Sequence, residues 1–459
     1  MVLARPESAE LGGGVGVANP GGPPLRKIWE IEIIRGLAAV LVVIVHVAST
    51  NGVFPDGPGA GVIWVFGAAL PVLFAITGFV LYVIPGSPLP ARATGELRVF
   101  LVRRVLRLVP AYWVALTAFA LYPGLPAVTD PGNAVRFYAF AQIYSLPDVF
   151  AGIGPAWTLC VDMTLYVFIA VLVLARRATD RPIADARFFG GLLAVVLALH
   201  LVAGPMIDAQ LYFQLTHTLV GTMDWFLIGV VLALLRRPEV RLPRPVALAL
   251  EPRVAWPAAL VVAIVHIAVL DIRGEPWALV ATPGWAAHVL QGLIAFLVLA
   301  PATKPRPYPA GAVGRAIAPL VALGTIAYGI YLLHRPLITW IHEQELARDL
   351  GLDRDLGLLA ATFALTIPLA ILSWRLVERP AIKLSGRLSR GGYRSADAHG
   401  NEQPPWRPGP ATGAGLALVA AAVLLVAFPA ALPRGVLLAL LFATVLAAVY
   451  IHVSTERRD

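Results

Sequence analysis

Long apolar stretches, separated by short polar segments, recur along this 459-residue chain. About 20 consecutive apolar residues suffice for a helix to cross the hydrocarbon core of a bilayer. Within lipid, only helices and closed barrels satisfy every backbone polar group. We therefore predict an all-α polytopic membrane protein with about twelve spans. They lie at 32–50, 62–84, 108–122, 156–175, 188–204, 218–235, 254–271, 284–300, 319–341, 356–377, 412–428 and 434–453.

The charge pattern supports this topology. Hydrophobic residues make up 58% of the chain and charged residues only 14%, which is outside the range of soluble domains. Lys and Arg collect between alternate spans, and the positive-inside rule then places those loops and both termini in the cytoplasm. The net charge of +9 reflects this topology and contact with membrane lipid headgroups, so no nucleic-acid partner is expected.

The polar segments divide the chain into four parts. Residues 1–25 are Gly/Pro-rich and predict a disordered tail without a signal peptide. A ten-span core covers 26–390, a cytoplasmic linker 391–411, and a two-span transmembrane hairpin 412–459. The single Cys160 excludes an internal disulfide and argues against a Cys-based metal site, and no metal is expected. Arg far outnumbers Lys beside abundant Ala, Gly and Pro, which suggests a high-GC bacterium and its cytoplasmic (inner) membrane.

Two ionisable residues of the first span form the leading candidate site. Ten residues separate Arg35 from His46, so eleven steps of about 100° place both on one helical face, roughly 16 Å apart along the axis. Glu32 lies near the same stripe. A single histidine inside a membrane span has a structural role, with its ring bonded to a backbone carbonyl, about as often as a functional one. Because ionisable groups inside lipid are costly, the pairing of His46 with Arg35 favours a functional role.

Depth in the predicted spans sorts the polar residues into two groups. The outer group consists of His46, Asp162, Asp224, Tyr331 and His334, and the cytoplasmic group of Glu32, Arg35, Arg104, Arg107, Arg375 and Glu378. Asp224 is interpreted as a charge at the end of a span. The other histidines are interpreted as single structural residues: His200, His217, His266, His288 and His452. The cluster of Arg103, Arg104 and Arg107 is a topology signal, with a phosphate site as the alternative.

Six segments carry a family resemblance. The run EIIRGLAAVLVVIVH, with Arg, ten residues and then His, resembles the opening signature of the membrane acyltransferase-3 family. LFAITGFVLY, RRVLRLVPAYW, PAWTLCVDMTLYVF, IAYGIYLLHRPL and WRLVERP are similar to its later motifs and follow in the same order. The resemblance covers about residues 26–390. Glu32 stands where the family usually has Asp, and Asp162 where it usually has Glu.

The resemblance implies an O-acyltransferase that takes an acyl group, commonly acetyl, from acyl-coenzyme A. The implied acceptor is a hydroxyl of a sugar, in an envelope glycan or a glycosylated natural product. A hydroxyl needs a base to become a good nucleophile, and imidazole serves near neutral pH. His46 is thus the candidate general base and Asp162 its orienting partner, while an acyl-histidine intermediate remains an alternative.

The remaining candidates have binding or supporting roles. Guanidinium groups suit bidentate phosphate contacts, so the candidates for the coenzyme A phosphates are Arg35, Arg103, Arg104 and Arg107. The candidates for substrate binding or support of the site are Glu32, Trp157, Tyr331, His334 and Glu378. The main alternative is a twelve-span proton-coupled secondary transporter, in which the His and Asp residues would relay protons. Such transporters usually contain repeats, and none is evident.

Overall fold

The computed structural model describes residues 28–50, 60–83, 94–175, 182–271, 284–304, 306–346 and 354–390. The predicted tail (1–25), linker (391–411) and C-terminal hairpin (412–459, with His452) lie outside these ranges. Within them the chain is all-helical, as predicted, and contains no strand.

The helices follow the apolar pattern of the sequence. They are α1 (Trp29–Thr50), α2 (Ala60–Phe66), α3 (Ala69–Val83), α4 (Thr94–Phe119), α5 (Pro126–Thr129), α6 (Pro131–Tyr138), α7 (Trp157–Ala175), α8 (Pro182–Val202), α9 (Ala209–Thr216), α10 (Leu219–Leu235), α11 (Arg244–Ala249), α12 (Pro252–Asp271), α13 (Gly284–Leu299), α14 (Gly311–Glu343), α15 (Arg354–Ser373) and α16 (Arg379–Arg390). Two π-helical turns, Ala120–Gly124 and Trp374–Glu378, extend α4 and join α15 to α16.

Each of the ten predicted core spans coincides with a helix. Among the described residues, eight helices are long and apolar enough to cross a membrane. A ninth span is formed by α9 and α10 together, with a bend of 44° between them. In α12 the apolar part, Pro252–Ala268, is shorter. The described core is therefore a polytopic membrane bundle with eight or nine full-length candidate spans, and α12 corresponds to the seventh predicted span, 254–271.

The third predicted span was drawn too short. The sequence placed it at 108–122, because the preceding arginines were interpreted as part of a loop. In the structure the apolar helix runs over Leu97–Gly124, so it includes Arg103, Arg104 and Arg107. Long arginine side chains can lie along apolar surface and reach polar partners, which allows the helix to continue through them.

Two glycines bring α1 and α14 into close contact. A Cβ on Gly36 would lie 2.8 Å from the backbone nitrogen of Gly324, and one on Gly324 would overlap the carbonyl oxygen of Glu32. The two helices run in the same direction, since Glu32 lies beside Gly324 while His46 lies beside His334. Small residues at a helix crossing permit this approach in membrane bundles.

A second close contact joins α3 to α10. A Cβ on Gly78 would overlap the carbonyl oxygen of Phe226, and one on Gly229 the carbonyl oxygen of Ala75. The rings of Phe74 and Phe226 meet beside this crossing, with centroids 4.7 Å apart. Glycines therefore allow close packing at both of these helix crossings, and the crossing of α1 and α14 carries the candidate histidines.

We predict that Gly324→Ala destabilises the protein by about 1–3 kcal/mol, because the added methyl group has no space beside Glu32. The measurement is the thermal unfolding midpoint of the purified protein in detergent. Gly191→Ala on α8 is the matched control, since a Cβ there meets nothing within 4 Å, and it should leave the midpoint unchanged or slightly higher. Equal losses in both variants would contradict the assigned role of the crossing.

Candidate active site

The crossing of α1 and α14 places two imidazoles in contact. The ring centroids of His46 and His334 are 4.9 Å apart, and Nε2 of His334 lies 3.3 Å from Nδ1 of His46. Each ring also contacts the carbonyl oxygen four residues earlier in its own helix: Nδ1 of His46 lies 2.8 Å from Val42 and Nδ1 of His334 3.1 Å from Ile330. His334 is fully buried and His46 half-buried.

These contacts assign the ring protons. A carbonyl oxygen can only accept, so a neutral histidine bonded to it through Nδ1 carries its proton on that atom. His334 then presents the lone pair of Nε2 to the Nδ1–H of His46, which is shared between His334 and Val42. The remaining nitrogen of His46, Nε2, is left with an unprotonated lone pair. This arrangement suits a general base.

The end of α1 next to His46 is held by α14. Arg335 donates to Thr50 Oγ1 at 2.5 Å and to the carbonyl oxygen of His46 at 3.4 Å. The hydroxyls of Ser49 and Thr50 donate to the same carbonyl. These donors give the His46 carbonyl additional hydrogen bonds near the end of α1 and fix the backbone that carries the ring. The sequence offered one signal for Arg335, its position directly after His334.

The beginning of α7 lies against the same part of α14. Tyr331 receives a hydrogen bond from Thr158 Oγ1 (3.0 Å) and donates to the carbonyl oxygen of Pro155 (3.3 Å). The Tyr331 ring is 5.8 Å from that of His334. Trp157 is buried and packs on His217, with centroids 4.4 Å apart. The structure thus brings Tyr331 and His334 together beside His46, and it places Trp157 at the start of the adjoining helix.

Asp162 lies between the two predicted groups. Its carboxylate interacts electrostatically with Arg104 and Arg107, and also with Tyr331. Its buried Oδ1 has no hydrogen-bond partner among the described residues. Because the His46 ring bonds to Val42 and His334, His334 occupies the orienting position expected for Asp162. The catalytic role of Asp162 stays a prediction.

The predicted cationic group is assembled from two helices, α1 and α4. Arg35 forms an ion pair with Glu32 at 2.8 Å, and both side chains are largely buried. Arg35, Arg104 and Arg107 are close enough to repel one another. Arg103 precedes Arg104 on α4 and is half-buried. The cluster joins α1 to α4 at the end of the bundle where α1 begins.

The carboxylate of Glu378, the last residue of the second π-helical turn, lies near the arginine cluster. Glu378 is buried, receives a hydrogen bond from Ser373 Oγ at 3.0 Å and lies in the field of Arg107. Its proximity to Arg107 supports the assignment of Glu378 to the cytoplasmic group.

Asp224, interpreted from the sequence as a charge at the end of a span, lies near the beginning of α10 but belongs to a buried cluster separate from His46. It is fully buried, and its two oxygens each lie 3.1 Å from Nε2 of His288. His200 lies beside His288, with Nε2 at 3.8 Å from Asp224. The sequence missed this cluster because its three residues lie on three separate spans. The one available signal was depth: His200 ends an outward-running span, and Asp224 and His288 begin inward-running spans, so all three lie at the predicted outer side.

The two residue groups and the apolar bundle define a class, a multi-pass membrane enzyme with an acid–base group and a cationic group. The model of the acyltransferase-3 family, described as an acyltransferase domain, matches residues 28–376. The chain belongs to this family and is therefore an acyltransferase that transfers groups other than aminoacyl groups. This membership decides against the transporter alternative.

Two relatives are similar over most of their length. The chain is 26% identical over 387 residues to a protein of Komagataeibacter xylinus named as the membrane-bound transacylase BcsY, covering 79% of this chain and 85% of the relative. It is 25% identical over 329 residues to the exopolysaccharide production protein ExoZ of Rhizobium meliloti (strain 1021), covering 70% and 91%. No solved structure matches significantly.

We predict that Glu32→Gln lowers stability by about 1.5–3 kcal/mol, because it leaves the largely buried Arg35 without its charged partner. The change in thermal unfolding midpoint measures this loss. The control is Glu239→Gln, which breaks an ion pair with Arg237 whose side chains are 42% and 47% exposed. A surface pair contributes at most about 1 kcal/mol. A Glu32→Gln variant as stable as this control would contradict the structural role of the pair.

Proposed function

We propose that this protein moves an acyl group, commonly acetyl, from acyl-coenzyme A to a hydroxyl of a sugar. The acceptor sugar belongs to an envelope glycan or a glycosylated natural product, and the enzyme lies in the bacterial cytoplasmic membrane with both termini in the cytoplasm. The observation that carries the proposal is the pair of contacts at Nδ1 of His46, to Val42 and His334, which leaves the lone pair of Nε2 unprotonated.

The chemistry follows from this arrangement. Nε2 of His46 removes the proton of the acceptor hydroxyl as its oxygen attacks the thioester carbonyl carbon. The resulting imidazolium is stabilised at Nδ1 by the Val42 carbonyl and the His334 lone pair, the task a carboxylate performs in a catalytic triad. The carbon–sulfur bond breaks, the ester is formed, and the coenzyme A thiolate leaves with the proton from His46.

The cationic group is the proposed site for the donor. Coenzyme A carries several phosphates, and arginine binds phosphate in a bidentate manner. Arg35, Arg104 and Arg107 repel one another, so an anion among them would relieve that repulsion. Arg103 extends the same surface. The axial separation of Arg35 from His46, roughly 16 Å, is within the reach of an extended pantetheine arm.

Other residues support the two substrates. The buried Oδ1 of Asp162, which lacks a partner among the described residues, is a ready acceptor for a hydrogen bond from the sugar hydroxyl or a pantetheine amide. Trp157 lies on the same helix as Asp162, and Tyr331 contacts the start of that helix through Thr158 and Pro155. The name of ExoZ, an exopolysaccharide production protein, supports a polysaccharide as the source of the acceptor sugar.

We expect His46→Gln to lower acyl transfer by about 10²–10⁴-fold, the usual contribution of a general base. His334→Gln should reduce the rate less, because Val42 still orients the ring. The measurement is transfer of labelled acetyl from acetyl-coenzyme A to glycan in proteoliposomes. His266→Gln is the control, since this buried histidine bonds to Gln291. Unchanged transfer in His46→Gln would contradict its role as base.

The same reconstituted protein distinguishes direct transfer from an acyl-histidine intermediate. Labelled acetyl-coenzyme A without acceptor should leave the protein unlabelled if transfer is direct. Label on His46, found by mass spectrometry, would establish the intermediate instead.

For the donor site we expect Arg107→Gln to raise the apparent KM for acetyl-coenzyme A by about tenfold, the effect of losing one charge-assisted hydrogen bond of about 1.4 kcal/mol. The KM for the acceptor should stay constant, because the cationic group is remote from His46. The control is Arg237→Gln, on an exposed ion pair. A variant that changes acceptor affinity alone would show that these arginines do not bind the donor.

A further inference from the structure

Three buried residues outside the proposed acyl-transfer site converge at one end of the bundle. His200 lies near the end of α8, whereas Asp224 and His288 lie near the beginnings of α10 and α13. Their exposed fractions are 7%, 0% and 4%. One ligand atom from each residue, a ring nitrogen or a carboxylate oxygen, lies within 4.8 Å of the other two. Both histidines direct Nε2 at Asp224, at 3.8 and 3.1 Å.

The rings of this cluster are fixed by their surroundings. Nδ1 of His200 is hydrogen-bonded to the hydroxyl of Tyr212 at 3.0 Å, which leaves Nε2 to face Asp224. The His288 ring is stacked between His200 and Trp225, with centroid distances of 4.1 Å on each side. Metal-binding histidines characteristically bond through their second ring nitrogen to a neighbouring polar group, which sets ring orientation. Tyr212 provides that contact here.

The charge of the cluster favours a cation. A buried carboxylate is costly unless it is paired, and neutral imidazoles supply hydrogen bonds but no charge. Among the described residues, the basic groups within 4.0 Å of the Asp224 carboxylate are the imidazoles of His200 and His288. Ligands of a tetrahedral zinc site lie about 3.3 Å apart, given bonds of about 2.0–2.1 Å. The two histidine nitrogens lie 3.8 and 3.1 Å from Asp224 and within 4.8 Å of each other, so binding a metal ion requires the side chains to move by about an ångström or less.

We propose that His200, Asp224 and His288 bind one divalent transition-metal ion, with zinc the best match to two imidazoles and a carboxylate. The fourth position is taken by water. The ion joins the ends of α8, α10 and α13 and neutralises Asp224. From the sequence alone we expected no metal, since the single Cys160 argued against a Cys-based site and the three residues were interpreted individually as structural or span-end residues. The alternative, a metal-free hydrogen-bonded triad, predicts no zinc binding.

The test is a zinc titration of the full chain, purified in detergent and stripped with a chelator. After removal of free metal, elemental analysis should find about one zinc ion per chain in the wild type, as for a single site. Zinc should also raise the thermal unfolding midpoint. Cobalt in place of zinc reports coordination through its visible absorption. These readouts are independent of acyl transfer, so failure of this proposal is distinguishable from failure of the proposed function.

Variants identify the ligands. Asp224→Asn and His288→Gln keep hydrogen-bonding groups of similar shape and should abolish stoichiometric retention of zinc. Tyr212→Phe keeps all three ligands and should weaken zinc affinity by about tenfold or more, as changes in orienting groups do. His266→Gln, which alters another fully buried histidine, should bind zinc like the wild type.

Two results would overturn the proposal. One is a wild type that retains no more zinc than Asp224→Asn, which would leave the hydrogen-bonded triad as the explanation. The other is an equal loss of zinc in His266→Gln, which would place the metal elsewhere. If Asp224→Asn does not fold, the wild-type stoichiometry and the Tyr212→Phe affinity still decide the question.

Discussion

Contact between two glycine backbones, Gly36 on α1 and Gly324 on α14, sets the position of the candidate base. Since neither residue has a side chain, the two helices approach closely and run in the same direction. One turn before its end, α1 then presents His46 to His334, and Arg335 on α14 binds the end of α1. The tautomer of His46, and with it the unprotonated lone pair of Nε2, depends on this crossing.

The apolar surroundings impose a second constraint, because each buried charge requires a partner. Arg35 is paired with Glu32, Arg104 and Arg107 interact electrostatically with Asp162, and Arg107 also interacts with Glu378. Asp224 is enclosed by two imidazoles. These groups are expensive to bury, so their retention in the bundle is best explained by function or by a bound ion. In the proposed acyl transfer the arginines bind the donor, and in the further proposal Asp224 binds the metal ion.

The helices could be predicted because apolar length is a local property. Each predicted core span has a corresponding helix. The main error was at α4, where the predicted span began only after the arginines that the helix in fact includes. That error has a physical cause: a charged residue ends an apolar run in the sequence, but a long side chain near carboxylates does not end the helix. Span boundaries therefore depend on partners that lie far away in the chain.

The sequence by itself determined the membrane class, the placement of Arg35 and His46 on one face of α1, and the family motifs. Helical periodicity and hydropathy fix these features, since they involve residues within one helix. Only the tertiary structure showed that His334 contacts the His46 ring, and that His200, Asp224 and His288 meet. Contacts between helices depend on how the spans are arranged laterally, and the apolar pattern along the chain carries no information about that order.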